Sequence, residues 1–181
     1  MFWEGKGEAF SDRTVELAAK RARELNIEQF VVASKMGRSA EKLVGKAANI
    51  VCVTYHQGFK EPGKNLMSLE QRSKLEKQGV KLLTTTHLLA GVDRAFRYKF
   101  GGIYPAEIMA YSLRMLGQGV KVCVEISSMA LDAGLIPYGE DILTLAGSGN
   151  GVDTALVIRP AHSTEIFETK IKEIICKPRE W

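Results

Sequence analysis

Apolar residues recur at helical spacing near the start of the chain. Val15, Ala18, Ala19, Ala22 and Leu25 share one face, and Ser11 or Asp12 stands where it can cap a helix running to about Asn26. Residues 29–33, Gln-Phe-Val-Val-Ala, form a short β-branched run of buried-strand type. A small-residue loop over 34–39 follows, with Ser39 placed to cap a helix reaching about Ala47. Residues 50–54 read as a second strand, and residues 55–65, with Gly58, Pro62 and Gly63, as a long loop or lid. Ser68 and Gln71 have capping-box spacing and open a helix to Gln78, with Gly79 as its stop. Residues 80–84 give a third strand.

A helix is expected over His87–Tyr98, broken at 100–104. Pro105 suits the first position of the next helix, which ends at Gly117 and carries a buried stripe of Ile108, Met109, Leu113 and Leu116. Residues 120–125, Val-Lys-Val-Cys-Val-Glu, read as a fourth strand, followed by a short helix over 128–133. Strands over 142–146, 154–159 and 170–176 complete the pattern. The glycine turn between 142–146 and 154–159 is too short for a crossover, so these two pair antiparallel. The fold class is α/β: one three-layer α/β/α domain over residues 1–181. Its sheet is mostly parallel, from 29–33, 50–54, 80–84 and 120–125, with antiparallel C-terminal strands.

Composition narrows the function classes. Hydrophobic residues at 45% and charged residues at 25% are ordinary globular values, and a net charge of +4 is too small and too dispersed to point to nucleic acid. No apolar run approaches the roughly 20 residues of a membrane helix, and Met1–Lys6 lacks the pattern of a secretory signal. Cys52, Cys123 and Cys176 stand apart in apolar runs and read as buried, reduced thiols. These features fit a cytoplasmic protein outside the membrane. Nine Gln and Asn residues are a low amide load, which leans towards a thermophile.

In a parallel sheet, ligands bind beyond the carboxyl ends of the strands. The expected strand ends carry Ser34–Ser39, Thr54-Tyr55-His56, Thr84–His87, Glu125–Ser128 and Gly147–Gly151. In the first loop, Gly37 permits close backbone approach, Arg38 offers a forked cation, and Ser34 and Ser39 offer hydroxyls, a combination suited to an anion as well as to a plain strand–helix turn. The loop Gly147-Ser148-Gly149 followed by a strand is neither a Walker loop nor a dinucleotide fingerprint. His56, His87 and His162 lack metal-ligand spacing. Glu125 and Asp132 are seven residues apart and can be read as an acid–base pair, or as a capping acid and a solvated acid.

Taken together, the motifs resemble the C-terminal α/β domain of pyruvate kinase. The carriers are Thr14-Val15-Glu16-Leu17-Ala18, Val31-Val32-Ala33-Ser34, Met36-Gly37-Arg38-Ser39-Ala40 and the run from Gly147-Ser148-Gly149-Asn150 to Asp153-Thr154-Ala155-Leu156. Gly7-Glu8-Ala9 is similar to that domain's opening. The likeness spans roughly 7–54 and 141–158, and Met36 and Asn150–Val152 depart from the family's pattern. The resemblance implies a stand-alone domain of archaeal type without the catalytic barrel. It also implies a phosphorylated ligand held by the two loops, flavin mononucleotide (FMN) in particular. The expected binding residues are Ser34, Gly37, Arg38, Ser39, Ala40, Thr54, Tyr55, His56, Gly147, Ser148, Gly149, Asp153 and Thr154. A flavin-dependent enzyme and an oligomerisation or regulatory module are the alternatives. The family's habit of subunit association, with Phe2, Trp3 and Trp181 as exposed aromatics, suggests a homo-oligomer, most simply a dimer.

Overall fold

The computed structural model describes residues 1–180. Trp181, one of the aromatics expected at a subunit contact, lies outside the described residues. The elements are β1 (Phe2–Trp3), α1 (Ser11–Leu25), β2 (Gln29–Ala33), α2 (Arg38–Glu41), β3 (Asn49–Val53), α3 (Leu69–Lys77), β4 (Lys81–Leu83), α4 (Val92–Phe100), α5 (Pro105–Arg114), α6 (Gln118–Asp132), β5 (Ile142–Ala146), β6 (Thr154–Arg159) and β7 (Lys170–Pro178). Seven strands form one sheet in the order β1-β7-β6-β5-β2-β3-β4. β2 pairs parallel with β3 and with β5, and β3 pairs parallel with β4. β5 and β6 run antiparallel, as the short glycine turn requires.

The β-branched runs sort their side chains to two faces. Phe30, Val32, Cys52 and Leu143 pack with α1, α2 and α3 residues such as Val15, Ala18, Ala40 and Leu75. Val31, Val51, Val53 and Ile142 pack with Val124, Ile126 and Ala130 of α6. β2 has one helix before it and two after it on the first face, and the chain crosses to the second face only after β4. The switch in winding therefore falls between β2 and β5.

One expected strand is a helix. Residues 120–125 lie in the first half of α6, and the fourth parallel strand is β5. The alternating valines of 120, 122 and 124 mimic a strand, but the buried run continues without a turn signal through Leu131. A segment buried on nearly every side loses its period, and only its length marks it as a helix. Lys121 and Glu125 keep helical spacing and form an i,i+4 ion pair.

Smaller expectations also change. Phe10, not Ser11 or Asp12, stands at the N-cap of α1, and α2 is a single turn preceded by Gly37 in place of a helix capped by Ser39. Ser68 does cap α3, accepting from the Gln71 N–H at 3.2 Å. The helix expected from His87 begins only at Val92. In α5 the expected stripe is not buried: Ile108 is 58% and Leu116 45% exposed. Trp3 is buried, 7% exposed, while Phe2 is 55% exposed. The Trp3 indole N–H reaches the Asp153 carbonyl at 2.7 Å, and β1 adds a parallel edge strand to β7. The three cysteines are free and buried, and burial pushes the Cys52 thiol up to about 12 and the Cys176 thiol up to about 11.

α6 packs tightly on the sheet at Gly119, where a β-carbon would run into the Thr154 side chain of β6. Gly119→Ala should therefore lower stability by about 1–3 kcal/mol, as overpacking does. A denaturant midpoint unchanged from that of the parent would contradict this packing.

Candidate functional site

The carboxyl ends of β2 and β5 open into the cleft expected at a winding switch. The first loop is shaped by its own contacts. The Ser34 N–H donates to the Val53 carbonyl at 3.0 Å, and Ser34 Oγ accepts from the Ser39 N–H at 3.2 Å. Gly37 has φ 87°, and a β-carbon there would come within 2.8 Å of Gln71 and Leu75 on α3. This glycine serves the turn and its packing against α3. The second loop is held from behind. The Asp153 carboxylate accepts from the Gly7 N–H at 2.8 Å, the Ser148 N–H at 3.1 Å and the Thr154 hydroxyl at 2.8 Å. Ser11 Oγ accepts from the Val152 N–H at 3.0 Å, so this serine anchors the loop and does not cap its own helix. Gly147 and Gly151 are needed for the loop itself: β-carbons would strike the Gly151 carbonyl in one case, and Ser11 and Glu8 in the other. A β-carbon on Gly149 would meet nothing.

Between the loops lies a cleft of about 590 Å³. Eight of the thirteen expected binding residues line it: Ser34, Arg38, Ser39, Thr54, Tyr55, Gly147, Ser148 and Gly149. Gly37 and Ala40 are buried behind the first loop, and Asp153 and Thr154 behind the second. His56 lies beside the cleft, next to Thr84–Thr86. Lys35 bridges the two loops by donating to Asn150 Oδ1 at 2.5 Å.

The cleft wall is basic. Lys35, Arg38, Lys42, Arg94, Arg114 and Lys121 face only two acids, Glu8 and Glu125. Lys42 is paired to Asp12, and Arg114 donates to Gln118 at 2.7 Å. The side chains of Arg38 and Arg94 make no hydrogen bond or ion pair among the described residues. Ser148 Oγ is buried without a hydrogen-bond partner. At the β3–β4 side, Tyr55 and Phe59 rings lie 4.1 Å apart and Tyr55 meets His87 edge-on at 5.3 Å. The loop 55–65 thus contributes two side chains to the cleft wall, and its turn is closed by a Gly58 N–H bond to the Lys64 carbonyl at 2.9 Å.

Reading strand ends alone misses Arg94, Arg114 and Lys121, which come from α4, α5 and α6, and reaches Glu125 only as the end of a strand that is in fact helix α6. The i,i+4 spacing of Lys121 and Glu125 was the available signal. Glu125 and Asp132 form no pair. Glu125 is buried against Lys121, while Asp132 accepts from the Ser163 N–H and meets His162 at 2.9 Å, away from the cleft.

The architecture is that of an open-sheet α/β domain with a cleft at the winding switch. The chain belongs to the pyruvate kinase alpha/beta domain family, which matches residues 12–158. Two solved structures of pyruvate kinase from Cryptosporidium parvum are similar to it. One shares 12% identity, with a TM-score of 0.44 over 86% of this chain and 23% of that one. The other, in complex with ADP, shares 14% identity, with a TM-score of 0.41 over 84% of this chain and 24% of that one. The chain spans about a quarter of the length of these enzymes. Among the described residues, no helix is long and apolar enough to cross a membrane.

His87 gives the cleft a pH signature. Desolvation lowers its pKa below the ordinary histidine value of about 6.5, outweighing the attraction of Glu125. The unfolded chain then binds the proton more tightly than the folded one, so the His87 contribution to stability falls as pH drops below about 6.5. An imidazole NMR titration should give a midpoint below the usual range. A midpoint at or above it would show that the ring is not desolvated.

Proposed function

We propose that this domain binds a small phosphorylated ligand in the cleft between its two loops, with FMN as the molecule that fits best. The observation that carries the reading is the pairing of two chemistries along one sheet edge. The β2 loop brings Lys35 and Arg38, the β5 loop brings backbone and the Ser148 hydroxyl, and α4 adds Arg94, while the β3 and β4 loops bring Tyr55, Phe59 and His87. Sheet order puts the β5 and β2 loops side by side and the aromatic loops next to them. A phosphate monoester attached to a planar ring matches that sequence of environments. The volume of about 590 Å³ lies in the usual range for small-molecule sites, roughly 300–1,000 Å³.

In this reading Arg38 and Lys35 hold the phosphate, joined by the Ser39 and Ser148 hydroxyls, and the flavin ring lies against Tyr55 and Phe59. The chemistry of a bound flavin is hydride or electron transfer, and the chain's part is to orient the ring and limit solvent access. Arg38→Ala should weaken FMN binding by about tenfold, the loss of one charge-assisted contact, and leave riboflavin binding nearly unchanged because riboflavin lacks the phosphate. Equal affinity for both ligands, or an Arg38→Ala variant that binds FMN as the parent does, would defeat this assignment.

We further propose that the chain associates with a second copy. α4 has no buried residue, and with α5 it exposes Phe96, Tyr98, Phe100, Ile103, Ile108 and Tyr111 in one region, between 45% and 80% open to solvent. Grouped apolar surface of this kind is characteristic of interaction sites. Light scattering should give twice the chain mass, falling to the chain mass in Phe96→Asp. A parent protein at the single-chain mass across micromolar concentrations would refute the dimer.

A further inference from the structure

The α6 wall of the cleft holds a pair of buried charges. Lys121 and Glu125 sit one turn apart on α6 and are only 5% and 4% exposed. Replacing a buried ion pair by apolar side chains of the same shape is often neutral or favourable, so its retention calls for a reason at the place where it is kept. Both residues line the cleft.

The two partners are unequally satisfied. Both Glu125 oxygens are spoken for: Oε1 accepts from the Leu89 N–H at 2.8 Å, and Oε2 takes the Lys121 ammonium at 2.5 Å. The carboxylate is thus fixed to the backbone leading into α4, and it fixes the ammonium in turn. Lys121 carries three N–H donors, yet Glu125 is its sole hydrogen-bond acceptor among the described residues. A buried ammonium with donors left over, facing a cleft, is a group with spare donor capacity for an acceptor brought from outside. The nearby imidazole of His87 adds no second positive charge beside the ammonium, since burial favours its neutral form.

We infer that Lys121 is the second anchor of the bound molecule. Oriented by Glu125, its ammonium donates to an electron-rich oxygen or ring nitrogen at the end of the ligand remote from the phosphate. The ligand class is narrowed accordingly, to phosphate monoesters whose planar ring carries conjugated carbonyl groups. Phosphate esters with a plain hydrocarbon ring then use only half of the site. This inference rests on the reading of the cleft as a phosphate-ester site. In it Glu125 is a positioning residue and Lys121 a ligand contact.

The test compares two ligands with the same anionic handle, FMN and phenyl phosphate, on the full chain. Lys121→Met alone would strand the Glu125 charge and risk misfolding, so the informative variant is the double change Lys121→Met with Glu125→Gln. Fluorescence quenching should show FMN affinity reduced at least tenfold in the double variant, while calorimetry shows phenyl phosphate bound as by the parent. A merely structural role would weaken both ligands together, and that result overturns the inference. Parent-like FMN binding by the double variant overturns it alone and leaves the functional reading intact. Absence of FMN binding by the unaltered chain overturns the functional reading, and this inference with it.

Discussion

A single carboxylate, fully removed from solvent, organises the N-terminal arm and the glycine loop that borders the cleft. Asp153 joins three segments distant in sequence: the N-terminal arm through Gly7, the glycine loop through Ser148, and the start of β6 through Thr154. Its own carbonyl holds the Trp3 indole, and its N–H closes on Ala146 at 3.0 Å. Three donors to one buried carboxylate are what such a charge requires. Without it the loop over 147–152 would lose the scaffold behind it, and the N-terminal arm would lose its tie at Gly7. The loop presents its backbone to the cleft because its back is tied down.

Much of the architecture was legible because β-branched runs and capped helices mark a parallel α/β sheet. β2, β3, β4, β5 and β6 stand within a residue or two of where their apolar runs place them. The failure at α6 has a definite cause. This helix is covered by β2, β5 and β6 on one side and by α5 and the cleft on others, so almost no exposed polar face remains to betray a 3.6-residue period. β1 was illegible for the opposite reason: two residues carry no pattern, and only the remote β7 edge makes them a strand. The stripe on α5 shows that period alone identifies a face without saying what covers it.

The site followed the same division. Residues at strand ends were readable, since parallel pairing brings such loops together whatever their sequence. Arg94 and Arg114 were not, because they enter from helices α4 and α5 and not from strand ends, and Lys121 was not, because a helix taken for a strand puts its residues in the sheet instead of on the cleft wall. The glycines also proved ambiguous. Gly37, Gly147 and Gly151 look alike in sequence, yet their absent β-carbons make room for α3, for the loop's own carbonyl, and for Ser11 and Glu8. In all three the space belongs to the protein and not to a ligand.

The isolation of α4 carries a thermodynamic consequence. A helix with no buried residue contributes little to the cooperative core, so it can open without unfolding the sheet and should exchange its amide hydrogens well before β2 or β5. The Leu89 N–H, three residues upstream of this helix, is bound to Glu125, and Arg94 within it lines the cleft. Occupancy of the cleft and opening of α4 therefore draw on shared contacts. Whatever fills the cleft would also order the exposed face of α4, and linkage makes that influence run equally in both directions.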